Sequence, residues 1–305
     1  MTGPQQEKEN ADRVLNEADF VRVIKRALNE SGLHIDTTDD CGLAPRSTEI
    51  VTTDSLVEDA HFNRKFDRPY DIGRQAAVVN LSDLAASGAA PAWVSWTLNL
   101  NRQWSLDDVY ELTQGMASEL RLHQTQLITG NLALKPGPSV ISVTAAGYLI
   151  GEKPLLRTAA VPGDDVLISG CLGRATRGYL SPTDAFRTAR HQWRPHLAEA
   201  AILAKTDGVH ACMDISDGLL LDASRMAAAS GVKIKLQSSL IPVIGDLSTA
   251  ITGGEDYVLL FTASAQTPLP DWALRIGSCV PGHGVYLDGH PVDGQGYDHF
   301  LRGTN

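Results

Sequence analysis

The chain has 305 residues, room for about two domains of the usual ~150 residues each, and with 43% hydrophobic and 20% charged residues it is not a wholly disordered protein. Its 26 basic and 36 acidic residues give a formal charge of −10, which excludes nucleic-acid binding through a general basic surface. No apolar run approaches the roughly 18–20 residues of a membrane helix.

The opening MTGPQQEKENADR lacks the order of a secretory signal, and residues 1–17 read as a polar tail. The spacing of Phe20, Ile24, Ala27 and Leu28 predicts a helix over Asp19–Asn29, with Gly32 as its cap. A β-rich segment covers Glu49–Val57. A second helix is expected over Ile72–Ser87, with Asp71 as N-cap and Gly88 as the stop. Period-two alternation marks a strand over Ala92–Leu100. Ser105 and Asp108 have the spacing of a capping box at a third helix. Gln126–Ile128 and Ser139–Tyr148 read as strands. Gly, Lys, Pro and Arg punctuation over Gly151–Gly163 places a domain boundary there, so that residues 18–150 form one domain and 151–305 a second. In the second half, strands are expected at Asp165–Ser169, Val209–Ile215, Val232–Leu236 and Tyr257–Thr262. Helices are expected at Leu197–Lys205 and Gly218–Ser230. The alternation gives an α/β or α+β class.

The cysteines Cys41, Cys171, Cys212 and Cys279 are far apart and form no CxxC pair. They read as packed thiols in a reducing cytoplasm. No Walker-type GxxxxGK[ST] run occurs, and Gly170–Gly173 reads as a tight strand-to-helix turn.

Aspartate placement carries the chemistry. Asp40 follows Asp39 in a loop-like stretch, Asp54 lies among β-branched residues, and Asp83 lies in Asn80-Leu-Ser-Asp83. Asp214 and Asp217 bracket Ile215–Ser216. All have small or apolar neighbours, and buried carboxylates need a partner or a metal. Asn80, Asp83 and Ser87 form a polar stripe on an otherwise small, apolar helix. The Asp214–Gly218 run ends a strand and begins a helix, a place to cap the helix or to hold metal and phosphate together. Carboxylates converging from loops and strand ends suit Mg²⁺, which would let an acidic protein bind polyphosphate. Gly253-Gly-Glu-Asp-Tyr257 is either a decorated turn or a loop closely approached by another group. His61 and Arg157 are open to structural and surface roles.

These segments resemble the thiamine-monophosphate kinase family, within the superfamily of aminoimidazole ribonucleotide synthetase, selenophosphate synthetase and the hydrogenase maturation dehydratase. The resemblance rests on Asp39-Asp40, Thr52-Thr-Asp-Ser-Leu-Val57 with His61-Phe62, Val79-Asn-Leu-Ser-Asp-Leu-Ala-Ala-Ser-Gly-Ala89, Asp214-Ile-Ser-Asp-Gly-Leu219, Gly253-Gly-Glu-Asp-Tyr257 and Gly296-Tyr-Asp-His-Phe300, in the family's order. It implies a two-domain aminoimidazole ribonucleotide synthetase-like fold whose N-terminal domain dimerises. It also implies ATP and Mg²⁺ as cofactors, and direct transfer of the γ-phosphate of ATP to thiamine monophosphate. Asp40, Thr52, Thr53, Asp54, Asp83, Asp214 and Asp217 are implied metal ligands, with Asp54, Asp83 and Asp214 catalytic. Gly130, Asn131, Arg157 and Ser216 are implied on the ATP side. His61, Glu255 and Tyr297 are implied contacts to the thiamine phosphate.

The chain departs from the family at Thr129-Gly-Asn-Leu-Ala-Leu134, where Gly-Gly-Asp-Thr-Thr-Arg is usual. Asn131 keeps an oxygen acceptor but no charge. The glycine-rich lead before the Asp pair is replaced by Asp36-Thr37-Thr38. These departures leave room for a different acceptor or a non-catalytic paralogue.

Overall fold

The computed structural model describes residues 17–31, 39–44, 47–180, 191–294 and 296. The polar tail up to residue 16, Gly32, Asp36–Thr38 and Tyr297 lie outside them. The chain divides into two compact units, one holding helix α1 (Glu17–Glu30) and the other everything described from Asp39 to Gly296. Helix α1 matches the expected segment to within two residues at each end.

The larger unit contains two sheets. The first is built from β1 (Gly42–Leu43), β2 (Glu49–Val57), β3 (Ala89–Leu100), β4 (Gln126–Leu134) and β5 (Val140–Leu149), in the order β1-β2-β5-β3-β4. β5 runs antiparallel to β2 and β3, whereas β3 and β4 are parallel. That parallel pair needs a crossover, which is supplied by α3 (Leu106–Leu122). The expected capping box at Ser105 and Asp108 is present, with each side chain accepting from the other's backbone N–H. β4 runs six residues beyond the expected Gln126–Ile128. The Thr129-Gly-Asn interruption hides it in sequence, but Gly130 is needed there. A Cβ at this position would sit 2.5 Å from Trp96 Cδ1 on the neighbouring strand.

Helix α2 spans Pro69–Ala86. It begins earlier than expected, and its N-cap is Arg68 rather than Asp71. Pro69 accounts for the difference, because it has a fixed φ and no N–H to satisfy, which suits the first helical position. Asp71 instead accepts from the Arg68 guanidinium at 2.8 Å. Gly88 stops the helix as expected, at φ +70°. α2 packs on β2, β3 and β5, on α3, and on elements of the second half of the chain. This enclosure explains its composition, since a helix covered on all sides has no solvent face to charge.

Where α2 crosses α3 the backbones nearly touch. A Cβ on Gly73 would lie 1.9 Å from the Leu112 carbonyl oxygen, and one on Gly115 would lie 1.9 Å from the Tyr70 carbonyl oxygen. Gly115→Ala is therefore expected to force the helices apart and to cost about 1–3 kcal/mol, as overpacking does. An unchanged melting temperature would contradict that close crossing.

The second sheet contains β6 (Asp164–Ile168), β7 (Val209–Ile215), β8 (Lys233–Leu236), β9 (Val258–Ser264), β10 (Leu274–Val280), β11 (Gly284–Leu287) and β12 (His290–Val292), in the order β12-β11-β8-β10-β6-β9-β7. Its helices are α4 (Arg174–Leu180), α5 (Leu197–Leu203), α6 (Leu219–Ser230) and α7 (Leu247–Thr252). α5 and β7 contact α2, so the second half closes over the helix that carries Asp83. Gly231 closes α6 in the left-handed conformation, as expected. The cysteines form no disulfide, but they are not uniformly packed thiols. Cys212 and Cys279 are buried, Cys41 is half-buried, and Cys171 is exposed in the turn before α4.

Candidate active site

Four elements bring the aspartates together. β2 supplies Thr52 and Asp54 on one face of the strand. α2 supplies Ser82 and Asp83. The loop before β1 supplies Asp39 and Asp40, and the C-terminal end of β7 supplies Asp214 within an otherwise apolar buried run. The Thr52 hydroxyl donates to Asp83 Oδ2 at 2.6 Å, tying β2 to α2. The Ser82 hydroxyl donates to Asp214 Oδ2 at 2.6 Å, tying α2 to β7. Two adjacent residues of one buried helix thus reach both halves of the chain.

The remaining charges are balanced by two arginines. Arg157 donates its backbone N–H to Asp39 at 2.6 Å and its guanidinium to Asp40. Its Nε is buried with no acceptor among the described residues. Arg225 on α6 donates to Asp217 at 2.6 Å and to Asp222 at 2.8 Å.

The electrostatics show a shared field. Burial raises Asp40 to about 7 against the pull of Arg157, with Asp214 and Asp39 adding to the rise. Burial raises Asp214 to about 7, opposed by the Ser82 hydrogen bond and reinforced by Asp222 and Asp54. Asp83 is pushed well above the carboxylate range by burial and then by Asp54, Asp214 and Asp40. Asp54 is raised to about 6 by its surroundings and by Asp217, although part of it touches water. These carboxylates are close enough to repel one another. Among the described residues, however, no group of three or more His, Cys, Asp or Glu side chains is gathered tightly enough to hold a metal ion. Asp83 and Asp214 are each held by a hydroxyl, Asp40 by a guanidinium and Asp39 by a backbone N–H instead. The donor set nevertheless fits a hard divalent cation, because it is all oxygen and its carboxyl groups, raised first by burial and then by one another, gain from a nearby cation. The unpartnered Arg157 Nε fits a polyanion next to it.

Thr53 and Asn131 take the opposite face of the first sheet. Thr53 bonds to the Thr144 hydroxyl at 3.2 Å. Asn131, exposed on β4, stands opposite Thr97, which stands opposite Ser142, which stands opposite Ser55. Strand alternation separates both side chains from Thr52 and Asp54.

The Gly253–Tyr257 loop lies against the Asp214–Gly218 turn. Glu255 N–H donates to the Ser216 carbonyl at 2.8 Å, and a Cβ on Gly254 would sit 2.4 Å from that same oxygen. This close approach is what the paired glycines permit. Glu255 and Tyr257 are held at positive φ, +65° and +53°, a strained conformation for residues with side chains. Gln75 on α2 donates to Glu255 Oε1 at 2.9 Å, which aims the carboxylate toward the α2 side. His61 Nδ1 accepts from Val57 N–H at 3.1 Å, fixing the neutral ring's proton on Nε2. Asp256 accepts from the N–H groups of Gly173 and Arg174, at 2.7 and 3.1 Å. The Gly170–Gly173 turn therefore caps α4 with an internal carboxylate, and those N–H groups are taken.

Sequence reasoning missed Ser82, Gln75, Asp222 and Arg225. The Asp222/Arg225 pair has i, i+3 spacing and was open to discovery. Ser82 was not, because it lies off the stripe defined by Asn80, Asp83 and Ser87.

Residues 38–149 match the AIR synthase related protein, N-terminal domain, and residues 162–268 match the AIR synthase related protein, C-terminal domain. The thiamine-monophosphate kinase of Aquifex aeolicus is 31% identical over 313 residues, covering 94% of this chain and 98% of the relative. The chain belongs to the thiamine-monophosphate kinase family. The thiamine-monophosphate kinase of Salmonella typhimurium is 31% identical over 301 residues, covering 86% and 90% of the two chains. Among solved structures, AaThiL complexed with AMPPCP and TMP superposes with a TM-score of 0.85 at 29% identity, covering 93% of this chain and 97% of that one. A thiamine-monophosphate kinase site thus has its two-domain α/β frame here, with the buried aspartates at the meeting of the two halves.

Proposed function

We propose that the chain transfers the γ-phosphate of ATP directly to thiamine monophosphate, giving thiamine diphosphate. The observation that carries this reading is the convergence of half-buried Asp40 and Asp83 with buried Asp214, from a loop, a helix and a strand drawn from both halves of a chain of this family. Asp40, Thr52, Asp54, Asp83, Asp214 and Asp217 would hold Mg²⁺, whereas the Thr53 side chain, turned to the opposite face of the sheet, would not. Gly130, Arg157 and Ser216 would face ATP, with Asn131 left on the opposite face of the first sheet, and His61, Glu255 and Tyr297 would face the thiamine phosphate. Mg²⁺, when bound, neutralises charge on the transferring phosphoryl oxygens.

The protein's own contribution is positioning. Thr52 and Ser82 lock the rotamers of Asp83 and Asp214, so those carboxylates need little reorganisation on loading. Arg157 offers its Nε to the nucleotide phosphates. Gln75 holds Glu255, and Val57 holds His61, at the acceptor end. The reaction needs no covalent protein nucleophile, because positioning and charge neutralisation suffice.

Two further parts of the reading rest on the chain's architecture. The sheet division and the two family matches support a domain boundary near residues 150/151. Strand β4 is the outer edge of the first sheet and exposes Leu127, Ile128, Leu132 and Leu134, which supports a homodimer through the N-terminal domain. Among the described residues no helix is long and apolar enough to cross a membrane. Reduced cysteines and a phosphorylated cofactor precursor as substrate support a cytoplasmic enzyme. The readings with another acceptor, or without catalysis, rest on Asn131 alone, and the relatives do not favour them. Folded protein incubated with ATP, Mg²⁺ and thiamine monophosphate is expected to form thiamine diphosphate and ADP in equal amounts. No thiamine diphosphate under saturating substrates would overturn the proposal.

A further inference from the structure

We propose that Arg225 is a built-in counter-cation that holds the Asp217 carboxylate in the metal-free enzyme and must release it when a divalent ion binds. Arg225 thereby sets the metal concentration at which the nucleotide site forms. The inference rests on the reading of Asp217 as a metal ligand.

The geometry of α6 separates a fixed carboxylate from a movable one. Asp222 is fully buried, and its Oδ2 accepts from the N–H groups of Asp217 and Gly218, both at 3.1 Å. Its Oδ1 takes the Arg225 guanidinium at 2.8 Å, one helical turn away. Asp222 therefore anchors both the turn and the arginine. The same Arg225 nitrogen reaches Asp217 at 2.6 Å, but the Asp217 side chain is 24% exposed. Asp217 can leave this bond while Arg225 stays on Asp222.

A guanidinium 2.6 Å from Asp217 Oδ2 and a divalent ion on the same carboxylate repel one another, so the arginine competes with the metal. Its charge also reaches Asp40 across the site, and release of Asp217 leaves a guanidinium at the rim of an anion-binding cleft. Arg225 is thus a positioning residue that acts through Asp217.

The test is Mn²⁺ binding to the full chain without nucleotide, followed by electron paramagnetic resonance, in the native protein and in Arg225→Gln, Arg225→Lys and Asp54→Asn. Losing the competitor is expected to tighten Mn²⁺ binding roughly tenfold in Arg225→Gln, in keeping with the strength of a charge-assisted hydrogen bond. Arg225→Lys, which keeps the charge, should return the affinity toward the native value. A purely structural role would weaken binding or leave it unchanged. Unchanged or weaker binding in folded Arg225→Gln, alongside weakened binding in Asp54→Asn, overturns the inference and leaves the metal site standing. Mn²⁺ binding that Asp54→Asn does not alter overturns the metal site and the inference with it. Should Arg225→Gln fail to fold, the Arg225 Nε–H resonance of the native protein decides. It is expected to shift on Mg²⁺ addition, and a resonance that stays put through saturation overturns the inference.

Discussion

Asp83→Asn is expected to lower kcat by about 10²–10³-fold while leaving the metal-free protein as stable as before, or more so. The size follows from removing one of the charges that would hold Mg²⁺ against the transferring group. The stability follows from the site's own electrostatics. Asp83 is half-buried and pushed far above the carboxylate range, because desolvation and then the charges of Asp54, Asp214 and Asp40 oppose its ionisation. An amide is nearly the same shape, and its oxygen can still accept from the Thr52 hydroxyl now 2.6 Å from Asp83 Oδ2. The substitution therefore deletes repulsion but keeps the tie between β2 and α2. Activity and stability are therefore expected to change independently in this variant. The measurements are steady-state kinetics at saturating ATP, Mg²⁺ and thiamine monophosphate, and a thermal melt in EDTA. A kcat within about threefold of native, in protein with an unchanged melt, would remove Asp83 from the catalytic set.

Much of this frame is legible in the sequence where one physical signal dominates. β2 and β7 have the expected bounds, because an unbroken β-branched or apolar run can hide nowhere else in a fold of this size. The capping box at Ser105 is a local hydrogen-bond pattern, and local patterns survive into the structure. β10, β11 and β12 escaped notice. β11 and β12 are short and are punctuated by Gly284 and Gly289, and β10 pairs with β6 and β8, which lie far away in the chain. The site shows the same division. Asp40, Asp54, Asp83 and Asp214 stand out as acids among small or apolar neighbours, although only Asp214 is buried and Asp54 is exposed. The face that each strand residue takes was not legible. Thr52, Thr53 and Asp54 are consecutive, and only the pairing of β2 with β5 sends Thr53 toward Thr144, away from Asp83. On α2 the polar stripe was a poor guide to contacts. A helix enclosed on every side makes functional contacts from several faces, and Ser82 reaches Asp214 from outside the stripe.

Metal-free protein is expected to lose stability as the pH rises from about 5.5 to 8, and Mg²⁺ is expected to restore most of it at the upper end. Asp40 and Asp214 are raised to about 7 by burial, and Asp54 is raised to about 6, partly by Asp217. A carboxyl whose folded value lies above its unfolded value of about 3.9 favours the folded state most when protonated. Its contribution is complete below about 4 and disappears as the pH climbs through about 7. Other groups do not cancel this trend. At Glu199 burial is outweighed by the His196 hydrogen bond and the value falls to about 2, below the window. His123 and His196 are held below their ordinary value, chiefly by burial, and act in the opposite sense only at the acid end. Mg²⁺ binds the ionised carboxylates, so its stabilisation should grow over the same interval. A ligand at a thousand times its dissociation constant adds about 4 kcal/mol, which corresponds to a melting shift of about 6 °C in a protein of this size. Melting curves in EDTA and in saturating Mg²⁺, at pH 5.5 and pH 8, test both halves of the expectation. An Mg²⁺ shift that is no larger at pH 8 than at pH 5.5 would mean that the ion is not held by Asp40, Asp54 and Asp214. EDTA-treated protein that grows more stable toward pH 8 would mean that the buried carboxylates are already neutralised by Arg157 and Arg225, leaving no unmet charge for a metal to satisfy.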